Sequence, residues 1–250
     1  MMITLLSVCL PRTGRGFLLA AALTLPAMNR AAVAVQCLTE SIGDVEISSP
    51  VAGAVAIIHH GEGKFVEAGT VVLELESRVE VLDVERRQVQ VETLKAELAR
   101  SETLLKSTSS ISREEVDKKR GEFRVATVEL ELAREALARR RVVAPFSGVV
   151  TLLPIKVGEY CQPPRVLLRL VDARKFYAIA NIDPVAAKGL AEGSTVWFEA
   201  GSDTPEKIEG KVVFISPVVD SASGLLRIKA LFPNSNTRLR PGIAGQLHLP

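Results

Sequence analysis

The chain has 250 residues, which is enough for one or two domains with hydrophobic cores of their own. Its 31 Lys and Arg nearly balance its 29 Asp and Glu, so the formal net charge of +2 indicates neither a nucleic-acid nor a membrane-surface partner. One Trp and two Tyr are also too few to form a stacking platform for bases.

The N-terminal segment has the layout of a secretory signal. Arg12 and Arg15 precede an apolar run at residues 16–25, Pro26 ends the run, and the small residues 32–34 follow. A basic zone, an apolar zone and a small-residue cleavage site in this order predict a signal peptide over residues 1–34. The run is shorter than the roughly 20 residues that a bilayer-spanning helix needs. A buried N-terminal helix is the alternative.

The three cysteines are Cys9, Cys37 and Cys161, and their spacing does not suggest a metal site. Cys37 follows the proposed cleavage site, but Gln36 before it is larger than lipid-attachment sites usually accept, so a lipid anchor is only a minor alternative. In an oxidising compartment Cys37 and Cys161 would be the two remaining cysteines, either paired in a disulfide or both unpaired.

Two segments ninety-five residues apart repeat one pattern, which predicts one structural unit used twice. Alternating apolar residues and punctuating glycines within each copy indicate short strands and tight turns. Neither copy has enough strands to bury an apolar face alone, so residues 45–76 and 144–172 are expected to pack together as one small β-domain. Six residues are assigned to the structural turns of the two halves: Pro50, Gly53, Gly63, Pro145, Gly148 and Gly158.

The segment between the two halves, residues 77–143, is predicted to be a helical hairpin. It contains no proline and a single glycine, Gly121, and these residues cost about 3 and about 1 kcal/mol respectively inside a helix. Ser112 with Glu115 forms a capping-box pattern for the second helix, after a turn at residues 108–110.

Apolar residues recur at every seventh position in both arms of this segment, as in the seam of an antiparallel coiled coil. Alanines fill the intervening inward positions of the second arm. The predicted seam comprises Val84, Val91, Leu98 and Leu105 in the first arm, and Val116, Phe123, Ala126, Leu130, Ala133 and Leu137 in the second.

The C-terminal region, residues 173–250 with part of 35–44, is predicted to be a small β-barrel, with an open antiparallel sheet as the alternative. Asp183 is expected to cap a short helix that ends near Gly189. The strand patterns cover residues 176–182, 195–199, 211–215 and 225–232 and a last strand that ends at 248–249, with Pro241-Gly242 and Gly245 around it.

This order of motifs resembles the periplasmic adaptor family, also called membrane fusion proteins, over about residues 40–250. The resemblance rests on the two half motifs with a hairpin between them, on residues 215–220 (Ile-Ser-Pro-Val-Val-Asp) with Gly224, and on Leu239 with Pro241-Gly242. It implies a mostly β fold with a long α-helical hairpin, made of a split lipoyl-like β-domain, an antiparallel coiled coil and a small β-barrel.

The resemblance implies that the protein is a non-enzymatic subunit without a cofactor. Such a subunit links an inner-membrane transporter, with the RND type favoured, to a TolC-like outer-membrane channel. It would lie in the periplasm beside the inner membrane as a homo-oligomer, a hexamer by resemblance. Many RND adaptors continue into a membrane-proximal domain beyond the point that matches Pro250, which favours a minimal adaptor or a shortened sequence.

The resemblance also assigns partner-binding roles at the hairpin tip to Arg100, Leu104 and Ser112. Arg supplies a fork of donors, Leu an apolar anchor, and Ser a short polar contact at a helix start. A solvated helix charge is the alternative for Arg100.

Three other functions remain as alternatives. An adaptor of an ABC or type I secretion exporter, similar to HlyD, shares the same motifs. A lipoyl or biotinyl carrier matches the half motifs, but the hairpin replaces the turn that would hold the modified lysine. A free-standing scaffold needs no transporter. The sequence has no triad or phosphate-binding loop, so no catalytic residue is assigned, and the pair His59-His60 is interpreted as an exposed turn rather than a metal site.

Overall fold

The computed structural model describes residues 33–107, 111–201, 207–235 and 239–250. The predicted signal peptide (1–34) lies outside these ranges except for its last two residues, and the predicted turn at 108–110 lies outside them entirely. Val33 and Ala34 are already part of the first strand, where they pair with Leu249 and His248.

The described chain is mostly β with a two-helix hairpin, as expected. The helices are α1 (Arg78–Ser107) and α2 (Arg113–Ala138). The strands are β1 (Val33–Ser48), β2 (Gly53–Ile58), β3 (Phe65–Val66), β4 (Val71–Leu75), β5 (Arg141–Val143), β6 (Gly148–Leu152), β7 (Tyr160–Cys161), β8 (Val166–Ile182), β9 (Thr195–Ala200), β10 (Lys207–Val219), β11 (Leu226–Pro233) and β12 (Ala244–Leu249).

The two repeat halves interlock, because each contributes strands to the sheet of the other. One four-stranded sheet has the order β5-β4-β2-β7, so β7 of the second half pairs with β2 of the first. In the other sheet β3 of the first half pairs with β6 of the second. Neither half could complete its sheet alone, which is the mutual packing that the repeat predicts.

Hydrogen bonds between the halves are reciprocal at the predicted offset of ninety-five residues. The Gly63 amide donates to the Val150 carbonyl over 2.8 Å, and the equivalent Gly158 amide donates to the equivalent Val55 carbonyl over 2.8 Å. Both glycines have positive φ, +79° and +85°, a region that residues with a Cβ rarely adopt. A single turn geometry therefore occurs twice, once in each half.

The other motif residues have different roles. Pro50 and Pro145 lie in bends that lead into β2 and β6. Gly53 and Gly148 are not in turns: they are the first residues of these two strands, and both are buried. The prediction of a turn at these two glycines is therefore wrong, because what requires glycine there is a close neighbour rather than a special φ.

A shared hydrophobic core fills the interlocked halves. Five of its buried members come from the first half and seven from the second, so it could not form from either half alone. Its buried members are Val55, Val66, Val72, Leu73, Leu75, Val142, Ala144, Val150, Ile155, Cys161, Leu167, Leu168 and Leu170.

Strands β8 to β12 and the N-terminal strand β1 close into a six-stranded barrel. The order is β1-β12-β9-β10-β11-β8, and β8 pairs back onto β1, so the open-sheet alternative does not hold. Phe176, Phe198 and Phe232 meet in its core with ring centroids 5.2 to 5.7 Å apart. Gly245 lies within β12, where a Cβ would come 2.5 Å from the Phe198 ring.

Strands β1 and β8 run through both the barrel and the interlocked halves, and they pair with each other along most of their length. Their register shifts between Ser41 and Gly43, at the passage from one core to the other. The predicted boundary near residue 173 therefore falls inside a continuous strand.

The helix predicted from Asp183 to Gly189 is wrong. The segment forms successive turns, with one bond of helical span from the Ala187 amide to the Asp183 carbonyl (3.1 Å). The Asp183 carboxylate accepts from the Val185 amide at 2.7 Å, as a cap would. Gly189, with φ of +92°, ends the turn before a helix can propagate.

In the hairpin, burial follows the predicted seven-residue spacing. The buried residues of α2 (Val116, Ala126, Leu130 and Ala133) all belong to the predicted seam. In α1 the buried residues are Val91, as predicted, and Ser101, which was not. Within the described residues no helix is long and apolar enough to cross a membrane.

Cys37 and Cys161 are both free and buried. Cys37 belongs to the barrel core and Cys161 to the core of the interlocked halves. This placement excludes the disulfide alternative. It also disfavours a lipid anchor at Cys37, because its thiol is packed inside the barrel.

Candidate functional site

The hairpin tip consists of the last two turns of α1 and the start of α2. Arg100 and Leu104 lie one helical turn apart on α1 and therefore share a face. Both are exposed, and Leu104 keeps 47% of its surface accessible. Ser112 lies on the other side of the turn, immediately before α2. All three predicted residues are thus at the same end of the hairpin.

Arg100 is exposed and makes one side-chain hydrogen bond within the described part of the chain. Its Nε donates to the Ala96 carbonyl of its own helix over 3.3 Å. The terminal nitrogens make no hydrogen bond to a residue in the described part of the chain. A guanidinium held in this way offers a planar fork to a carboxylate or a carbonyl of a partner.

Ser112 is the N-cap of α2. Its backbone is extended (φ −77°, ψ 152°), and its Oγ accepts a hydrogen bond from the Glu115 amide at 3.1 Å. A hydroxyl that accepts in a cap can still donate its own proton. Glu114 and Glu115 follow in the first turn, where negative charge favours the helix dipole. The residue therefore fixes the start of α2 and still has one donor for a partner.

Ion pairs fasten the two helices just below the tip. Arg120 of α2 contacts Glu102 of α1 at 2.8 Å and Asp117 of its own helix at 2.7 Å. The hydrogen bond to Glu102 raises the pKa of Arg120, with Asp117 adding to the effect. Lys119 reaches Glu97 at 3.4 Å. Exposed pairs of this kind add little to stability, so their main effect is on the alignment of the two arms.

Sequence reasoning missed Ser101, which is buried between the two predicted tip residues of α1. The signal was available, because residue 101 lies at the intervening seam position three residues after Leu98. The serine was missed because only apolar residues were expected at seam positions.

Two of the three histidines lie beside a single carboxylate each. His59 Nε2 lies 3.4 Å from Glu74, and His248 Nε2 lies 2.9 Å from Glu199. Over the described ranges, no three His, Cys, Asp or Glu side chains come close enough to hold a metal ion.

An interlocked pair of β-halves that carries a helical hairpin and continues into a closed barrel is a fold shared with solved membrane fusion proteins. A chimeric MacA–MexA protein containing the Pseudomonas aeruginosa MexA α-hairpin domain matches with a TM-score of 0.75 and 19% identity, over 87% of this chain and 81% of that one. The membrane fusion protein Spr0693 of Streptococcus pneumoniae matches with a TM-score of 0.69 and 14% identity, over 87% and 98%. At these identities the likeness shows the fold.

Sequence comparison is more specific. Residues 179–250 match the family model described as the CusB-like, beta-barrel domain. The multidrug resistance protein MdtA of Xenorhabdus bovienii is 28% identical over 225 residues, covering 81% of this chain and 54% of that protein. An uncharacterized protein of Haemophilus influenzae is 27% identical over 204 residues, covering 81% and 53%.

The chain is thus similar to the CusB-like barrel domain over residues 179–250 and to membrane fusion proteins in fold, so the resemblance indicated by its motifs is confirmed. It spans about half the length of the curated relatives it matches.

Proposed function

We propose that this chain is a non-enzymatic periplasmic adaptor subunit that links an inner-membrane efflux transporter to an outer-membrane channel. In this proposal residues 45–76 and 144–172 form a lipoyl-like domain, residues 77–143 a coiled-coil hairpin, and residues 173–250 with part of 35–44 the barrel. The signal peptide at 1–34 would export the chain to the periplasm.

The observation that carries the proposal is where the hairpin is inserted. It leaves β4 and returns in β5, two adjacent antiparallel strands of one half-sheet. A lipoyl or biotinyl carrier would present its modified lysine on a tight turn between the halves, and here that connection is the hairpin. The arrangement favours reaching a distant partner over carrying a group.

The tip supplies the contact chemistry for the channel. Arg100 and Leu104 offer a charged fork beside an apolar anchor on one helix face, and Ser112 adds a polar contact at the start of the other helix. Arg and apolar anchors of this kind carry much of the energy in protein interfaces. The interlocked halves and barrel would rest on the transporter, with the RND type favoured, and copies would assemble as a hexamer.

Site-specific crosslinking in the native host tests the outward contact. A photo-reactive amino acid at position 100 or 112 of the full-length protein should give an adduct with an outer-membrane channel. The same residue at Val128, which is 55% exposed in the middle of α2, is the matched control and should give no such adduct. Equal capture from all three positions, or capture of none, would contradict the proposal.

Purification of a tagged full-length protein tests the contact with the inner-membrane transporter. An RND transporter is expected to co-purify. An ABC transporter instead would support the adaptor role but assign it to a type I secretion exporter, and the absence of any transporter would favour a free-standing scaffold.

A further inference from the structure

The hairpin meets the rest of the protein through two short links, residues 76–77 and 139–140, which together are called the root here. Helix α1 begins three residues after β4, and α2 ends three residues before β5. The two helices pack along each other, and among the described elements neither packs extensively on a strand. The direction of the hairpin is therefore set by the few contacts at this root.

Arg140 makes the central contacts of the root. Its carbonyl accepts from the Leu75 amide at the end of β4 over 2.8 Å. Its guanidinium donates through Nη1 to the Ala52 carbonyl, also at 2.8 Å, and through Nη2 to Glu80 in the first turn of α1. One side chain thus joins the loop before β2 to the start of α1, at the point where α2 ends.

The ion pair between Arg140 and Glu80 is partly shielded from water. The Arg140 and Glu80 side chains keep 21% and 18% of their surface exposed, well below the exposure of most other ion pairs of the hairpin. Charged groups in such surroundings are screened less than surface pairs. The guanidinium also fixes the relative positions of Ala52 and Glu80, because its planar donors must face both acceptors at once.

The glycine of the first half motif makes room for this guanidinium. A Cβ at Gly53 would lie 2.7 Å from Nη1 of Arg140. At the equivalent Gly148 the obstacle is instead the Val171 carbonyl oxygen, a main-chain atom. Glycine is therefore required at position 148 by the neighbouring main chain and at position 53 by the guanidinium of the hairpin root.

Beside the root lies a cleft of about 280 Å³ lined by Val51, Leu132 and Ala136 together with the ion pair. Leu132 is 66% exposed, so this flank of α2 is not packed against the body. The cleft leaves space into which the hairpin could lean if the root contacts were released.

We propose that Arg140 is a positioning residue that holds the hairpin at a fixed angle to the β-body, with Glu80 and the Ala52 carbonyl as its anchors. The 30 residues of α1 correspond to about 45 Å, so a tilt of about 10° at the root moves the tip by about 8 Å. This inference goes beyond the adaptor proposal and does not depend on which partner the hairpin reaches.

Distance measurements between two spin labels test the proposal on the full chain. Labels at Lys106→Cys and Glu67→Cys report tip against body, and labels at Glu85→Cys and Lys106→Cys report the length of α1. The buried Cys37 and Cys161 should not react, which labelling of the unmodified protein checks. R140M keeps the apolar stem and removes the guanidinium, and it should broaden the tip-to-body distances by about 8 Å per 10° of tilt.

R139Q is the matched control, because Arg139 is the exposed neighbour of Arg140 and its side chain pairs with Glu135 of the same helix rather than with the β-body. It should leave both distance distributions unchanged. G53A should displace the guanidinium without removing any charge and so reproduce the broadening, and E80Q should give a smaller effect because the bond to Ala52 remains. If R140M does not fold, G53A and E80Q still decide the question.

Unchanged tip-to-body distances in folded R140M and G53A would overturn the proposal. An equal change in the distance along α1 would also overturn it, because the helix would then be melting rather than tilting.

Discussion

Gly53 and Gly148 occupy equivalent positions in the repeat, yet alanine should have different effects on stability at the two sites. A Cβ at Gly148 would stand 2.6 Å from the Val171 carbonyl oxygen and 2.9 Å from its carbon. Ordinary contact begins at 3.4 Å, so the overlap with the main chain of β8 is about 0.8 Å. β8 runs through both cores and cannot retreat without disturbing its pairing with β1 and β6.

Overpacking of this kind typically costs about 1–3 kcal/mol. For a chain of this size each kcal/mol lowers the melting temperature by about 2–4 °C, so G148A should melt about 2–12 °C below the parent protein. At Gly53 the obstacle is the end of a flexible side chain. The melting temperature of G53A should therefore fall by less than half as much as that of G148A. Gly121 in α2 has nothing within 4 Å of a Cβ, and G121A should be stabilised by up to about 1 kcal/mol.

Thermal unfolding followed by far-UV circular dichroism measures all three variants under the same conditions. Equal decreases for G53A and G148A would refute the reasoning, since the difference between a main-chain and a side-chain obstacle would then have no consequence. A melting temperature of G148A at or above that of G121A would refute it as well.

Three further predictions concern the cap, the barrel and a buried thiol. S112A should destabilise the hairpin by about 1 kcal/mol, because it removes the Oγ that accepts a hydrogen bond from the Glu115 amide. S112T keeps this acceptor and should not destabilise it. Helicity at 222 nm during urea unfolding measures the difference. F198A should cost about 3–5 kcal/mol, since the ring is fully buried against two others, and calorimetry that finds under 1 kcal/mol would contradict this packing. Burial raises the pKa of Cys37 from 9.0 to about 11, so the thiol of the unfolded chain ionises first as the pH rises. Its contribution to stability is complete below about pH 9 and should fall between pH 9 and 11. The melting temperature should therefore decrease less over this range in C37A than in the parent protein.

The repeat offset allowed the interlocked halves to be predicted from sequence, because the paired residues keep their types at both sites. Gly63 and Gly158 need the same positive φ, and Val55 and Val150 accept the same bond. The seam of α2 was equally visible, since apolar residues at a fixed helical spacing have one plausible inward face.

The failures share a physical cause, which is that long-range contacts rather than local pattern decide them. The role of Gly53 depends on Arg140, eighty-seven residues away in sequence, and no local pattern indicates it. Ser101 is buried because of its place in the seam, although its residue type suggests a surface position. At residues 183–189 the cap signal of Asp183 is real, but the segment is too short to offset the cost of starting a helix.

Closure of the barrel illustrates the same limit. Part of residues 35–44 was expected to join the barrel, but the sequence did not indicate that this segment, as β1, closes the ring by pairing with both β12 and β8. Its exposed and buried residues do alternate over Val35–Thr39, yet nothing local tells which distant strands it will join.

The hairpin is inserted between two neighbouring strands whose ends are already tied together by the bond from Leu75 to Arg140. Seven residues added to each arm would lengthen it by about 10.5 Å and preserve the facing of every seam position. The reach of the hairpin can therefore change by whole heptads while the contacts at its base stay the same.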